Sequence, residues 1–118
     1  EDDVPCYWKN GAPTKLESLT GGFANGICEQ NGDVYCVGES AGDKGVLWKN
    51  TAGSALQIHP PGATTSACDA IVFFEDKMYI GGYARIGSVM RSFTFSEGNY
   101  TLLPGDECIL GDIAITKE

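Results

Sequence analysis

The sequence predicts an all-β protein built from an internal repeat of roughly forty residues. Three observations predict it. The segment Cys6-Tyr7-Trp8-Lys9-Asn10-Gly11 returns forty residues later as Val46-Leu47-Trp48-Lys49-Asn50-Thr51, with three identical residues. The apolar residues fall in short runs rich in Val, Ile, Tyr, Phe and Trp, separated by Gly, Asn, Asp and Pro clusters, which is the pattern of strands and turns. No helix-length window carries apolar residues at i, i+3, i+4, i+7 without an interrupting Gly or Pro.

The elements follow in order. After each tryptophan a leucine stands at the same distance, Leu16 after Trp8 and Leu56 after Trp48. Next comes an isoleucine strand, Ala24-Asn25-Gly26-Ile27 in one copy and Cys68-Asp69-Ala70-Ile71 in the other. Each leads into a tyrosine strand, Asp33-Val34-Tyr35-Cys36-Val37-Gly38 or Lys77-Met78-Tyr79-Ile80-Gly81-Gly82. A third copy emerges when Phe95-Ser96-Glu97-Gly98 is laid on Trp8-Lys9-Asn10-Gly11, which aligns Leu103 with Leu16 and brings Ile113 near the Ile27 and Ile71 slot. The chain thus divides into a single domain, 1–118, of three repeats at about 6–45, 46–89 and 90–118, the last lacking a strand.

The sharpest local expectation is a hairpin at Asn31-Gly32, because both residues tolerate the positive φ of a two-residue type I′ turn. That turn pairs Gln30 with Asp33, Cys28 with Tyr35 and Ile27 with Cys36; the same register in the second copy sets Val72 opposite Tyr79 and Ile71 opposite Ile80. Cys28 and Cys36 then point to opposite faces and cannot bridge. They occupy slots that hold Val and Ile in the other copy, where cysteine acts as a small apolar side chain.

Four strands per forty-residue copy describe a β-propeller blade. The combination of Tyr-Trp-Lys-Asn-Gly with Asn-Gly-Asp-Val-Tyr resembles the repeat of exported bacterial β-propeller proteins, closely over 6–56 and 68–83 and loosely elsewhere. The resemblance implies a fold rather than an activity. Three blades are too few to close a ring, which normally has about four to eight. Three ways out are open: the chain is part of a longer one, two chains join, or the fold is another threefold one, a β-trefoil or β-prism. The missing strand leaves an edge that invites a homodimer.

Composition narrows the function. Eight Lys plus Arg against sixteen Asp plus Glu give a net charge of −8, which repels nucleic acid and anionic lipid. No apolar run reaches the ~20 residues of a membrane span, and the acidic start is unlike a signal peptide. Five cysteines, Cys6, Cys28, Cys36, Cys68 and Cys108, are many for a cytosolic chain and favour a secreted, periplasmic or cell-surface protein with disulfides. No CxxC, HExxH, GxSxG, P-loop or calcium-loop spacing occurs, and no cofactor or metal is expected. His59, followed by two prolines, reads as an ordinary loop histidine.

The candidate binding residues are aromatic and basic: Trp8 and Trp48, each followed by Lys and Asn, and Tyr83 with Arg85 after the Gly81-Gly82 strand end. A tryptophan face beside amide and ammonium donors suits a sugar, and an aromatic with an arginine suits a protein interface. Set against this, a repeated aromatic is the ordinary device for packing one repeat on the next. Asn99-Tyr100-Thr101 matches the glycan-acceptor pattern. The expectation is an extracytoplasmic binding or assembly module without catalytic activity, taking a carbohydrate or a protein, with a self-associating structural segment as the alternative and a hydrolase third.

Overall fold

The computed structural model describes residues 5–16, 22–40, 42–50 and 55–104. Among the described residues there are ten strands: β1 (Cys6–Lys9), β2 (Ala12–Lys15), β3 (Gly22–Gln30), β4 (Asp33–Ser40), β5 (Gly45–Lys49), β6 (Leu56–Gln57), β7 (Ala63–Phe74), β8 (Lys77–Ile86), β9 (Val89–Ser96) and β10 (Asn99–Leu102). They form a two-stranded hairpin β1-β2 and two four-stranded antiparallel meanders, β3-β4-β5-β6 and β7-β8-β9-β10. Each sheet is made of sequence neighbours joined by reversals, so local turn chemistry dictates most of the pairing.

The turns recur with the repeat. Asn31 and Gly32 have φ of 52° and 87°, and the equivalent Glu75 and Asp76 have 51° and 65°. Asn10-Gly11 and Glu97-Gly98 are alike at the other reversal, with 51° and 82° against 50° and 82°. The register across Asn31-Gly32 is the expected one, with Gln30 opposite Asp33, Cys28 opposite Tyr35 and Ile27 opposite Cys36. In the second meander Val72 faces Tyr79 and Ile71 faces Ile80, again as the sequence predicts. A bulge between Ala24 and Gly26 has its twin between Cys68 and Ala70, so the extra residues are Asn25 and Asp69.

The all-β prediction is met, but the closed architectures are not. Among the described residues the three sheets hold two, four and four strands, and none closes on itself or repeats threefold. The β-propeller, the β-trefoil and the β-prism are all excluded by this inequality, and the resemblance to exported propeller proteins fails with them. The physical reason lies in number: two four-stranded meanders and a hairpin fall short of a ring, which needs about four blades, and among the described residues the outer strands, β3, β6, β7 and β10, each have one neighbour. The sheets also cut across the repeat as aligned from the tryptophans, since Trp8, Trp48 and Phe95 sit in β1, β5 and β9, the strand after the second reversal. The expected disulfides are absent among the described residues: Cys6, Cys28, Cys36 and Cys68 are free thiols. Cys108 lies outside the described residues, as do the Ile113 slot and the unfinished strand of the third copy.

The central strands of the middle meander, β4 and β5, are buried on both faces, which is why they read as nearly continuous apolar runs. One face presents Val34, Cys36, Val46 and Trp48 to the hairpin, where Leu16 is fully buried among them and Tyr7 packs alongside. The other face presents Val37 and Leu47 to Cys68, Ile71, Ile80, Ala84 and Phe93 of the last meander. Tyr35 and Phe73 meet across that second interface with ring centroids 4.8 Å apart. Pro61-Gly62 reverses the chain between the two meanders, Gly62 at φ 83° and the Ala63 N–H donating to the Pro60 carbonyl over 3.1 Å, the geometry that favours Pro followed by Gly.

Candidate functional site

The recurring Lys-Asn and Asn-Gly-Asp motifs meet at one place. Asn50, at φ 66° after β5, accepts the Val34 N–H on its Oδ1 at 2.8 Å and donates from Nδ2 to Asp33 at 3.0 Å. Lys49 Nζ lies 3.7 Å from the same carboxylate. The Asn50 amide, with help from the Lys49 charge, holds the Asp33 carboxyl below its usual range. The Tyr7 hydroxyl donates to the Asn50 carbonyl at 2.9 Å and ties the hairpin down at the same point. The donors that follow Trp48 therefore clasp an aspartate of the neighbouring strand, where a sugar platform would have needed them open.

At the first copy the corresponding residues, Lys9 and Asn10, hold no strand among the described residues. Among the described residues β1 has one strand neighbour, β2, whereas its counterparts β5 and β9 are flanked on that other edge by β4 and β8. Beside this edge runs a groove of about 250 Å³ lined by Cys6, Tyr7, Trp8, Ala24, Ile27 and Cys36, with the bulge at Asn25-Gly26. Trp8 is 67% exposed and Ile27 56%, while their repeat mates Trp48 and Ile71 are 0% and 8%. The row Ile27-Cys36-Trp48 is equivalent to Ile71-Ile80-Phe95; in the second row Ile71 and Ile80 are buried and Phe95 half-buried, whereas the first is covered at its Cys36-Trp48 end and open at Ile27.

The four expected site residues are not brought together. Trp8 lines the groove; Trp48 is fully buried core, its indole N–H without a hydrogen-bond acceptor among the described residues. Tyr83 and Arg85 lie inside β8, not in a loop beyond it, and project from the face opposite Ile80 and Ala84. Arg85 is exposed and reaches the Ser88 carbonyl at 3.3 Å. Burial, and then the charges of Asp69 and Glu39, push the Tyr83 hydroxyl above its ordinary pKa. Asn99 is exposed at the start of β10.

Two polar clusters escaped the sequence reading. At the seam between the meanders the bulged Asn25 donates to the Cys68 carbonyl at 3.2 Å and to the bulged Asp69 at 3.4 Å. Burial raises the Asp69 carboxyl, and burial together with Asp43 and Asp69 raises that of Glu39. Matching bulges would have revealed this pair only to a reader who knew where the register slips. The other cluster joins His59 and Ser66: Nδ1 lies 2.6 Å from the hydroxyl, and Nε2 lies 2.8 Å from the Ala63 carbonyl. With Nε2–H donating to the carbonyl, Nδ1 accepts the Ser66 proton, and the hydroxyl oxygen takes the Gly45 N–H at 2.8 Å. Both partners are spent on backbone groups and Ser66 is buried, so the pair holds the link between meanders. A nucleophile needs access that this serine lacks.

No family model matches the chain, and comparison with curated proteins and with solved structures found no match. Among the described residues no group of three or more His, Cys, Asp or Glu could hold a metal ion, and no helix is long and apolar enough to cross a membrane.

Proposed function

We propose that this protein is a non-catalytic binding or assembly module whose contact surface is the groove beside β1, with Trp8 as its aromatic anchor. The observation that carries the reading is the contrast between Trp8, open to solvent at 67%, and its buried repeat mate Trp48. A large aromatic left open next to an apolar floor and a concave edge is the usual form of a recognition site. The ligand is a protein or a carbohydrate. The five cysteines do not argue for a place outside the cytoplasm, because the four among the described residues are free thiols.

The test is a Trp48→Phe variant, in which Trp8 is the sole reporter, screened by fluorescence against a panel of oligosaccharides and of peptides. Ligands that shift the Trp8 emission and lose binding in Trp8→Ala, with the fold intact, support the proposal. Ligands that bind equally well to Trp8→Ala would refute it. A second reading, a structural piece that associates with copies of itself, is favoured by the open sheet edges. Light scattering that returns twice the chain mass with no ligand preference would select it.

A further inference from the structure

Resting on the groove beside β1 as the binding surface, we infer that its ligand is an extended polypeptide strand that pairs antiparallel with β1 and presents an aspartate to Lys9 and Asn10. The repeat supplies the geometry. β1, β5 and β9 are equivalent strands; β5 receives β4 and β9 receives β8 along the edge that β1 leaves open among the described residues. The two-residue turn at Asn10-Gly11 makes Lys9 and Ala12 the hydrogen-bonded pair nearest the reversal. Alternation then aims the backbone N–H and C=O of Trp8 and Cys6 out along the open edge, the position from which Trp48 pairs with Cys36.

Side chains define the chemistry of the strand. In the middle meander Lys49 and Asn50 hold Asp33, the first residue of β4. Lys9 and Asn10 stand at the same places, and both are exposed. The strands β1 and β2 carry Lys9 and Lys15 and no carboxylate. Past the aspartate, the partner's inward side chains must be apolar to cover Ile27, as the adjoining sheet covers Ile71. The strand sought reads Asp-apolar-Tyr-apolar-apolar-Gly, the pattern of Asp33–Gly38 itself. Main-chain pairing of this kind confers affinity, and pockets for alternate side chains confer choice.

The probe is a synthetic decapeptide with the sequence of residues 31–40, valine replacing Cys36, titrated into the full chain and read by amide NMR. Saturable binding is expected, with exchange of the Cys6 and Trp8 amides slowed about tenfold or more. Asp→Asn in the peptide, or Lys9→Ala in the protein, should each weaken it about fivefold. A peptide N-methylated at alternate residues should not bind, because its ladder donors are gone. Binding that ignores N-methylation and Lys9→Ala overturns the inference. If oligosaccharides shift Trp8 and the peptide does not, the strand ligand is refuted while the groove stands; if neither perturbs Trp8, both fall. A dimer of the protein alone, with Cys6 and Trp8 amides already protected, would make the partner a second copy and refute a separate peptide.

Discussion

Trp8 and Trp48, forty residues apart and each followed by Lys-Asn, hold the same position in equivalent strands, yet one stands in solvent and the other is sealed under the hairpin. The difference comes from what lies over each residue and not from the residue itself. Trp48→Ala opens a cavity bounded by Leu16, Val34, Cys36 and Val46 and should cost about 3–5 kcal/mol. Trp8→Ala should change stability by no more than about 0.5 kcal/mol. Urea unfolding of the two variants checks the contrast, and acrylamide should quench Trp8 while sparing Trp48.

Ser66→Ala should destabilise the chain by about 1–3 kcal/mol, since it strands the buried Gly45 N–H and leaves His59 Nδ1 without a donor. A fluorophosphonate should leave the native protein unlabelled. Covalent labelling of Ser66 in folded protein would contradict the structural role assigned to the pair.

Burial pushes the Cys36 thiol up to about 11 and the Cys68 thiol up to about 12. Both prefer the neutral form in the folded state, so the stability they contribute is whole below the unfolded thiol value of 9.0 and drains away as pH rises towards those figures. The urea midpoint should fall from about pH 9 upward, and less steeply in Cys36→Val. In a Cys108→Ser background, Ellman's reagent should meet Cys6 at once and Cys28 more slowly, while Cys36 and Cys68 should react only on unfolding.

Asp69 has a raised carboxyl pKa, so its contribution is present below the unfolded carboxylate range and lost as pH climbs through the raised value. Asp69→Asn removes that loss and still offers Asn25 an oxygen acceptor. The variant should gain stability at pH 7, by less than about 1 kcal/mol because the group is partly solvated. A lower midpoint at pH 7 in chemical denaturation would count against burial as the cause of the shift.

The hairpin at Asn31-Gly32 and the pairing Ile27 to Cys36 were readable because a two-residue turn leaves one register and φ above zero restricts it to few residue types. The equivalent turn at Glu75-Asp76 was readable only through the repeat, as neither residue advertises that conformation. Gly38 and Gly82 recur in the two copies, but their reason appears only in the fold: a Cβ there would run into the carbonyl oxygen of Phe23 or of Ala67. How sheets stack is carried by no local signal, and so the same Trp-Lys-Asn triplet could not reveal that one indole is core and the other surface. The bulges at Asn25 and Asp69 stayed hidden for a related reason, because a one-residue slip leaves the apolar pattern on either side intact.

Among the described residues the hairpin is fastened by Leu16, by the packing of Tyr7 and by the Tyr7 phenol on the Asn50 carbonyl, with the Leu16 N–H closing back onto Pro5 at 2.7 Å. It is a flap on two hinges. Should it swing away, the oily row beneath becomes wet in one movement, giving a sticky form long before the last meander melts. Clumping on warming should therefore set in ahead of global unfolding and climb with protein concentration, and a ligand that clamps the flap would suppress it.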